Sequence, residues 1–541
     1  MTGHLGVGSR LITNPVLPGF HPDPSILRVG DDYFLATSTF EWYPGVRIHH
    51  SRDLVDWRPL RGALDERRLV DLSGVPDSGG VWAPCLSYAH GLFHLVFTRV
   101  DNFAGGWWDA QNYVVTAPTA EGPWSDPVPV HARGFDASLF HDDDGRCWFL
   151  CPAGDWRPGR YPFAGIQVQQ WDCARQRLTG AAHTVFTGTD AGVTEGPHLY
   201  RRDGWYYLMT AEGGTSYAHQ ATVARSRTLL GPYSADPAGP VLTSRGHPEL
   251  PLQKAGHGSL VETPAGEWYL AHLVGRPESP LGRCVLGRET ALQPVTWTAD
   301  GWPRTPHGAP EVQVAAPDLP AHPFPAEPDR DDFDAPVLGP HWATLRRPAA
   351  PDWVDLTTRP SHLRLHGGQS PRGLRAPSLV ARRATSHHCS LEAAVEFRPA
   401  DIRQTAGVTA YYDSRNWHYA YLTADDGGQT VLSLLSCDNG VRIAHPEADT
   451  AVGGDAQVLL RVGLDARDIR FEYRLPTGSW TALGPALDAT ILSDEYAGDR
   501  QAGSGHAESP AFTGAFLGLW VQDIGAEGGY ADFGYATYRA R

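Results

Sequence analysis

Over the first 275 residues, short segments of alternating apolar and polar positions come in pairs split by a turn, and the pairs repeat. The copies are DPSILRVGDDYFLATS from Asp23, APCLSYAHGLFHLVFT from Ala83, DASLFHDDDGRCWFLC from Asp136, EGPHLYRRDGWYYLMT from Glu195 and HGSLVETPAGEWYLAH from His257. A period of two marks a half-buried strand, and Asp31, Gly91, Gly145, Gly204 and Gly266 supply turn chemistry within each pair. The starts lie 60, 53, 59 and 62 residues apart, room for one four-stranded unit each. SRDLVDWRPL, TAEGPWSDPV and RTLLGPYSADP echo one another near unit ends. Five such units predict a five-bladed β-propeller, because repetition about an axis leaves only short, protected sheet edges.

The repeat is lost after about residue 304. Residues 305–330 are rich in Pro and Ala, and each proline removes a ladder donor, so the stretch reads as a linker over the surface. From 331 to 541, segments such as HLRLHG, SLEAAVEFRP, GVTAYYD, QVLLRVGL and IRFEYRL alternate as antiparallel strands of a β-sandwich. Long amphipathic helix patterns are missing. The predicted chain is all-β, with a propeller over 1–304, a linker over 305–330 and a sandwich over 331–541. That division suits a 541-residue chain at about 150 residues per domain.

Aligned on their first strands, the copies put Asp23, Ala83, Asp136, Glu195 and His257 in register. Equivalent positions on innermost strands ring the propeller axis, so three acids from distant parts of the chain would share one cavity. An Asp before Pro-Ser commonly caps a turn, which explains one acid but not three at one register. Glycoside cleavage uses such a set: one carboxyl protonates the leaving oxygen, and a carboxylate activates water or attacks the sugar. A third carboxylate raises the acid's pKa by repulsion. The residues alone do not divide these roles.

The net charge of −16, without Lys/Arg runs, argues against nucleic acid or an anionic membrane as partner and leaves a neutral substrate. Eighteen tryptophans suit stacking on sugar rings as well as core packing. The cysteines are seven, scattered and without C-x-x-C spacing, as expected of free thiols in a reducing compartment. MTGHLGVGSR lacks the basic patch and apolar run of a secretory signal, and no apolar stretch approaches the roughly 18 residues of a membrane span. A cytoplasmic protein is expected. HHS at 49–51 and SHHCS at 386–390 lack spaced carboxylate partners, so no metal site is read.

NPVLPGFHPDPSI, STFEWYPGVRIHHSRDLVDW, DSGGVWAPCLSY, GFDASLFHDDDG, TEGPHLY, MTAEGGTSYAHQATVARS, LVETPAGEWYLAHL and LGRETALQ resemble glycoside hydrolase family 43, in particular its intracellular β-xylosidases with a C-terminal, concanavalin-like sandwich. The resemblance runs from about Asn14 to Tyr538. It implies Asp23 as general base, Asp136 as pKa modulator and orienter, and Glu195 as general acid. It also implies inversion at the anomeric carbon, with Asp23 and Glu195 about 6.5–9.5 Å apart to admit a water. Arg288 matches a family arginine beside the acids, and His257 a family histidine near the axis, which in some relatives lies beside a divalent cation. Phe40, Trp82 and Phe135 correspond to aromatic walls of the glycone pocket, and Phe512, with Phe516 in reserve, to an aromatic by which the sandwich closes it. Glu41 and Glu212 are rival acids outside the register.

The implied activity is exo-hydrolysis of short β-1,4-xylo-oligosaccharides to D-xylose by a dimer or tetramer with no required cofactor. An α-L-arabinofuranosidase, a bifunctional enzyme and a non-catalytic carbohydrate-binding propeller are the alternatives. Two stretches depart from the family pattern: the short PESPLGRCV between Arg276 and Leu286, and RQAGSGHAESPA before Phe512.

Overall fold

The computed structural model describes residues 10–104, 107–453, 457–500 and 507–541. The amino-terminal residues 1–9 and residues 501–506 of RQAGSGHAESPA therefore lie outside the described residues. Five antiparallel sheets follow one another in sequence, each meandering outward from its first strand. Their innermost strands are Ser25–Val29, Gly80–Ala89, Ser138–His141, Glu195–Arg202 and Gln253–Glu262. Each packs against the next, and the fifth packs against the first, so the sheets close into a five-bladed ring. Neighbouring blades are clipped at matching places: the Ser25 hydroxyl accepts from Leu86 N (3.0 Å), and the Ser259 hydroxyl accepts from Ile26 N (3.1 Å). In the first hairpin Gly30 rather than Asp31 takes the left-handed conformation (φ 62°). His90-Gly91 and Asp203-Gly204 both have positive φ at their two central positions, the type I′ geometry that matches strand twist.

Residues 305–330 are more than a covering strap. Gln313–Ala315 pairs antiparallel with Leu11–Thr13, burying Val314 and Ile12 between the proline-rich stretches. Beyond them two nine-stranded sheets face one another across a large apolar core that includes Trp353, Leu391, Leu460 and Phe533. The second sheet does not end within the sandwich. Its edge strand Ala343–Leu345 pairs with Trp42–Tyr43 of the first blade, and the Trp42 ring stacks on Phe516 at 3.9 Å. Propeller and sandwich thus share a sheet and an aromatic cluster containing Phe20, Phe40, Trp82, Tyr411 and Trp520. Among the described residues no helix is long and apolar enough to cross a membrane.

Candidate active site

The first strand of a blade bulges as it approaches the axis, and the bulge sets what points into the centre. Regular pairing begins at Ser25, Cys85, Ser138, His198 and Ser259. Two residues earlier stand Asp23, Ala83, Asp136, Gly196 and His257. Four of these share a left-handed backbone, with φ of 55° at Asp23, 51° at Asp136, 56° at Gly196 and 48° at His257. Such φ values strain a non-glycine residue and collect at functional sites. The sequence register was therefore one residue out in the fourth blade. Glu195 does not occupy the position of Asp23 and Asp136; it stands where the second and third blades place Trp82 and Phe135. The cause is steric, because a Cβ on Gly196 would come within 2.9 Å of the His257 ring. Glycine fills the register position and the acid projects from its neighbour.

All three acids still line one cavity of about 890 Å3 at the mouth of the ring, together with Arg288 and His257. Arg288 donates from Nη1 to Asp23 Oδ1 (2.8 Å) and from Nη2 to the Phe512 carbonyl (2.9 Å), and the Ser38 hydroxyl donates to Asp23 Oδ2 (2.6 Å). His257 Nδ1 lies 3.7 Å from Asp23 Oδ1. Burial alone would raise the Asp23 pKa, but Arg288, His257 and Ser38 outweigh it and leave the carboxyl below its ordinary value. Glu195 goes the other way. Burial, followed by the negative charge of Asp23, pushes it up to about 8 against the pull of Arg288. Asp136 is raised well above its usual range by burial, then by Glu195 and Asp23. The charge pressing on Glu195 is thus that of Asp23, while Asp136 is itself pushed toward the protonated form. The cavity holds one stabilised carboxylate, Asp23, together with Glu195, pushed up to about 8, and Asp136, raised by burial and by the other two acids.

Phe40, Trp82 and Phe135 line the cavity, and Trp82 packs edge-on to Phe135 at 5.1 Å. Phe512 joins them from the sandwich, stacking on Phe40 at 5.9 Å. Phe516 is buried beneath Trp42 and does not line the cavity. Neither rival acid reaches it: Glu212 accepts from Thr189 N (2.8 Å) and the Thr222 hydroxyl (2.8 Å), and Glu41 is buried, with its pKa raised to about 8 chiefly by burial.

Several lining residues had escaped the sequence reading. Phe103, Trp108 and Phe163 extend the aromatic arc. Lys254, three residues before His257, forms an ion pair with Glu495 of the sandwich, whose Oε2 also accepts from Cys284 N at 3.0 Å. Asp494 faces Arg288 Nε at 4.0 Å and is raised to about 7, mainly by burial. The short loop after Arg276 brings Leu281, Gly282 and Arg283 into the rim, and Arg283 lies 4.5 Å over the Tyr496 ring. Repeat counting in the propeller could flag Lys254, which shares the fifth inner strand, but nothing in ILSDEYAG marks Asp494 or Glu495.

His257 does not fit as an all-protein cation site. Calcium takes six to eight oxygens, whereas both Asp23 oxygens are already engaged by Arg288 and Ser38. Outside the cavity, His141, Cys147 and Cys173 bring three ligand-type atoms within 4.8 Å of one another, a grouping that sequence spacing did not reveal. All seven cysteines are free thiols.

A five-bladed ring whose aromatic pocket holds one carboxylate of lowered pKa and another raised to about 8 has the parts of a glycosidase. The chain belongs to glycosyl hydrolases family 43: that family's model matches residues 12–303, and the model of the beta-xylosidase C-terminal concanavalin A-like domain matches residues 330–539. The chain is 44% identical to xylosidase/arabinosidase 43B of Humicola insolens, covering 98% of this chain and 97% of that protein. It is likewise 44% identical to a xylan 1,3-beta-xylosidase of a Vibrio species, covering 97% and 99%. The crystal structure of xylan beta-1,4-xylosidase from Bacillus halodurans C-125 superposes with a TM-score of 0.94 at 48% identity, covering 98% and 100%.

Proposed function

We propose that the protein is an exo-acting, inverting β-xylosidase that releases D-xylose from the non-reducing end of short β-1,4-xylo-oligosaccharides. The observation that carries this reading is the opposed protonation of two acids in one pocket, Asp23 held down by Arg288 and Glu195 held up at about 8. Asp23 takes a proton from the attacking water. Glu195 gives its proton to the glycosidic oxygen, so the leaving sugar departs as a neutral alcohol. Inversion requires the two groups on opposite faces of the ring, about 6.5–9.5 Å apart. Asp136, electrostatically coupled to Glu195, serves as pKa modulator and orienter. Arg288 and His257 bind sugar hydroxyls, and Phe40, Trp82, Phe135 and Phe512 stack on the glycone ring.

Exo action is supported by the Phe512 wall and the Arg283 rim, which favour a dead-ended pocket over a through-groove. Relatives named for xylosidase, arabinosidase and β-1,3-xylosidase activity support the pentose and keep α-L-arabinofuranosides as a second substrate class. Proton NMR of the first sugar formed from xylobiose tests substrate, exo action and stereochemistry together; first-formed β-xylose would refute inversion. Side-by-side rates on the aryl β-xyloside and aryl α-arabinofuranoside rank the two substrates.

No metal takes part in these steps, so full activity is expected after exhaustive chelation. Free thiols suit a reducing, cytoplasmic setting. A dimer or tetramer is expected in analytical ultracentrifugation.

A further inference from the structure

Behind the active site, between the first blade and the sandwich, lies a second cavity of about 170 Å3. Its wall carries Arg47, Arg382 and Arg383 together with His21, His49 and His341. Arg47 and Arg383 are only 2% and 6% exposed. Arg47 reaches from the blade to the Pro340 and Trp342 carbonyls of the sandwich side, the second at 3.0 Å. Arg383 reaches back from the sandwich to the Phe20 carbonyl at 2.6 Å through Nε. Its guanidinium rests against the Phe20 and Phe516 rings, 5.7 and 5.3 Å from their centres. Among the described residues neither arginine forms an ion pair, and the terminal nitrogens of Arg383 make no hydrogen bond.

The acids near this cavity lie at its outer end. Glu327, half exposed, sits 3.7 Å from His341 Nε2, and Asp331, Glu327 and Asp329 act on Arg382. The deeper groups face only one another. Burial drags Arg47 down to about 10, and it pushes Arg383 well below its ordinary value with further help from Arg47. His21 and His49 are driven well below theirs, first by burial and then by the two arginines. His49 Nδ1 is buried without a hydrogen-bond partner. Uncompensated buried charge is among the costliest arrangements a fold can hold, and structures avoid it by pairing or by binding a counter-ion.

We propose that this cavity is a binding site for a tetrahedral oxyanion, inorganic phosphate or sulfate, that clamps the propeller to the sandwich. Guanidinium forks match the edges of such an ion better than they match a spherical halide. The two buried arginines come from different domains, so one ion gathers charge from both sides of the seam. Once it is bound, His21 and His49 can take protons and donate as well. The site is joined to the catalytic strand, because His21 lies two residues before Asp23 and its N–H donates to the Arg288 carbonyl at 2.9 Å.

The test is thermal unfolding of the full chain, dialysed free of oxyanions and then titrated with sodium phosphate or sodium sulfate at ionic strength held constant with sodium chloride. A saturating rise of several degrees in Tm in the millimolar range is expected, with matching heat in calorimetric titration against inorganic phosphate. Arg383→Gln keeps a donor for Phe20 but removes the charge. It should abolish the saturating response and, in oxyanion-free buffer, melt no lower than the parent. A rise without saturation, equal in parent and Arg383→Gln, is the general effect of excluded salts and would overturn the proposal. So would an equal response to chloride alone. Should Arg383→Gln not fold, His49→Asp serves instead. It places a carboxylate in the cavity and should raise Tm without oxyanion while erasing the phosphate response; a lower Tm with that response intact defeats the idea.

Discussion

Replacing Arg288 by Met should move the whole pH–rate profile toward alkali. The substitution keeps an apolar chain between Phe40 and Phe512, which the guanidinium now overlies at 5.3 and 5.5 Å, and removes the charge bonded to Asp23 at 2.8 Å. A unit charge at about 4 Å is worth about 4 kcal/mol at an effective dielectric of about 20. At about 1.36 kcal/mol per unit, that is up to about three pKa units on Asp23. The base must be ionised to act, so the acid limb of kcat/KM should climb by about two to three units from its lowered position, with a loss near pH 5 of about 10-fold. Arg288 also holds Glu195 down, so the basic limb, expected near pH 8 in the parent, should rise in the variant. Initial rates on an aryl β-xyloside across the pH range measure both limbs. A loss of rate uniform in pH, with neither limb displaced, would refute the electrostatic account and leave Arg288 as a substrate contact only.

Asp23→Asn and Glu195→Gln should each lower kcat on xylobiose by about 10²–10⁴, and an activated aryl leaving group should spare only the Glu195 variant, because it needs no proton on departure. Glu41→Gln should be stabilising: the folded-state pKa of about 8 lies above the unfolded value, so the glutamate's stability is full below about pH 4.5 and lost as pH rises toward 8. Urea unfolding should show the gain as about 1–3 kcal/mol near pH 7 and none near pH 4. Glu495→Gln leaves Lys254, 2% exposed at its side chain, without its counter-charge. About 3 kcal/mol of stability should be lost in the same assay, with a raised KM if the rim loosens.

The repeats carried the propeller because each blade must bury its own faces, and that need writes a period into the chain. The position of Glu195 was misread by one residue because the copies were aligned on their first-strand pattern of apolar and polar positions, whereas their backbones align on the left-handed bulge. Gly196 was the signal for that, as the one residue whose missing Cβ lets His257 approach. The aromatic walls and Arg288 came from motif resemblance, not from any local pattern. Asp494, Glu495 and the Lys254 pairing were illegible for a different reason. They depend on how the sandwich docks, and no periodicity within ILSDEYAG reports a partner more than two hundred residues away. The same holds for Trp42–Tyr43, two residues of blade sequence that hydrogen-bond in the other domain.

That borrowed strand sets the terms on which these domains can be exchanged. A gene cut in the proline-rich stretch would separate two folding units in sequence but leave the seam where it was, inside the first blade. The sandwich would lose the neighbour of Ala343–Leu345, and the propeller would bare the Trp42 face that now lies on Phe516. A chimera joining this propeller to a relative's sandwich therefore has to match at residues 42–43 as well as at the linker. The two modules are joined at two places, and recombination between relatives should succeed only where both junctions travel together.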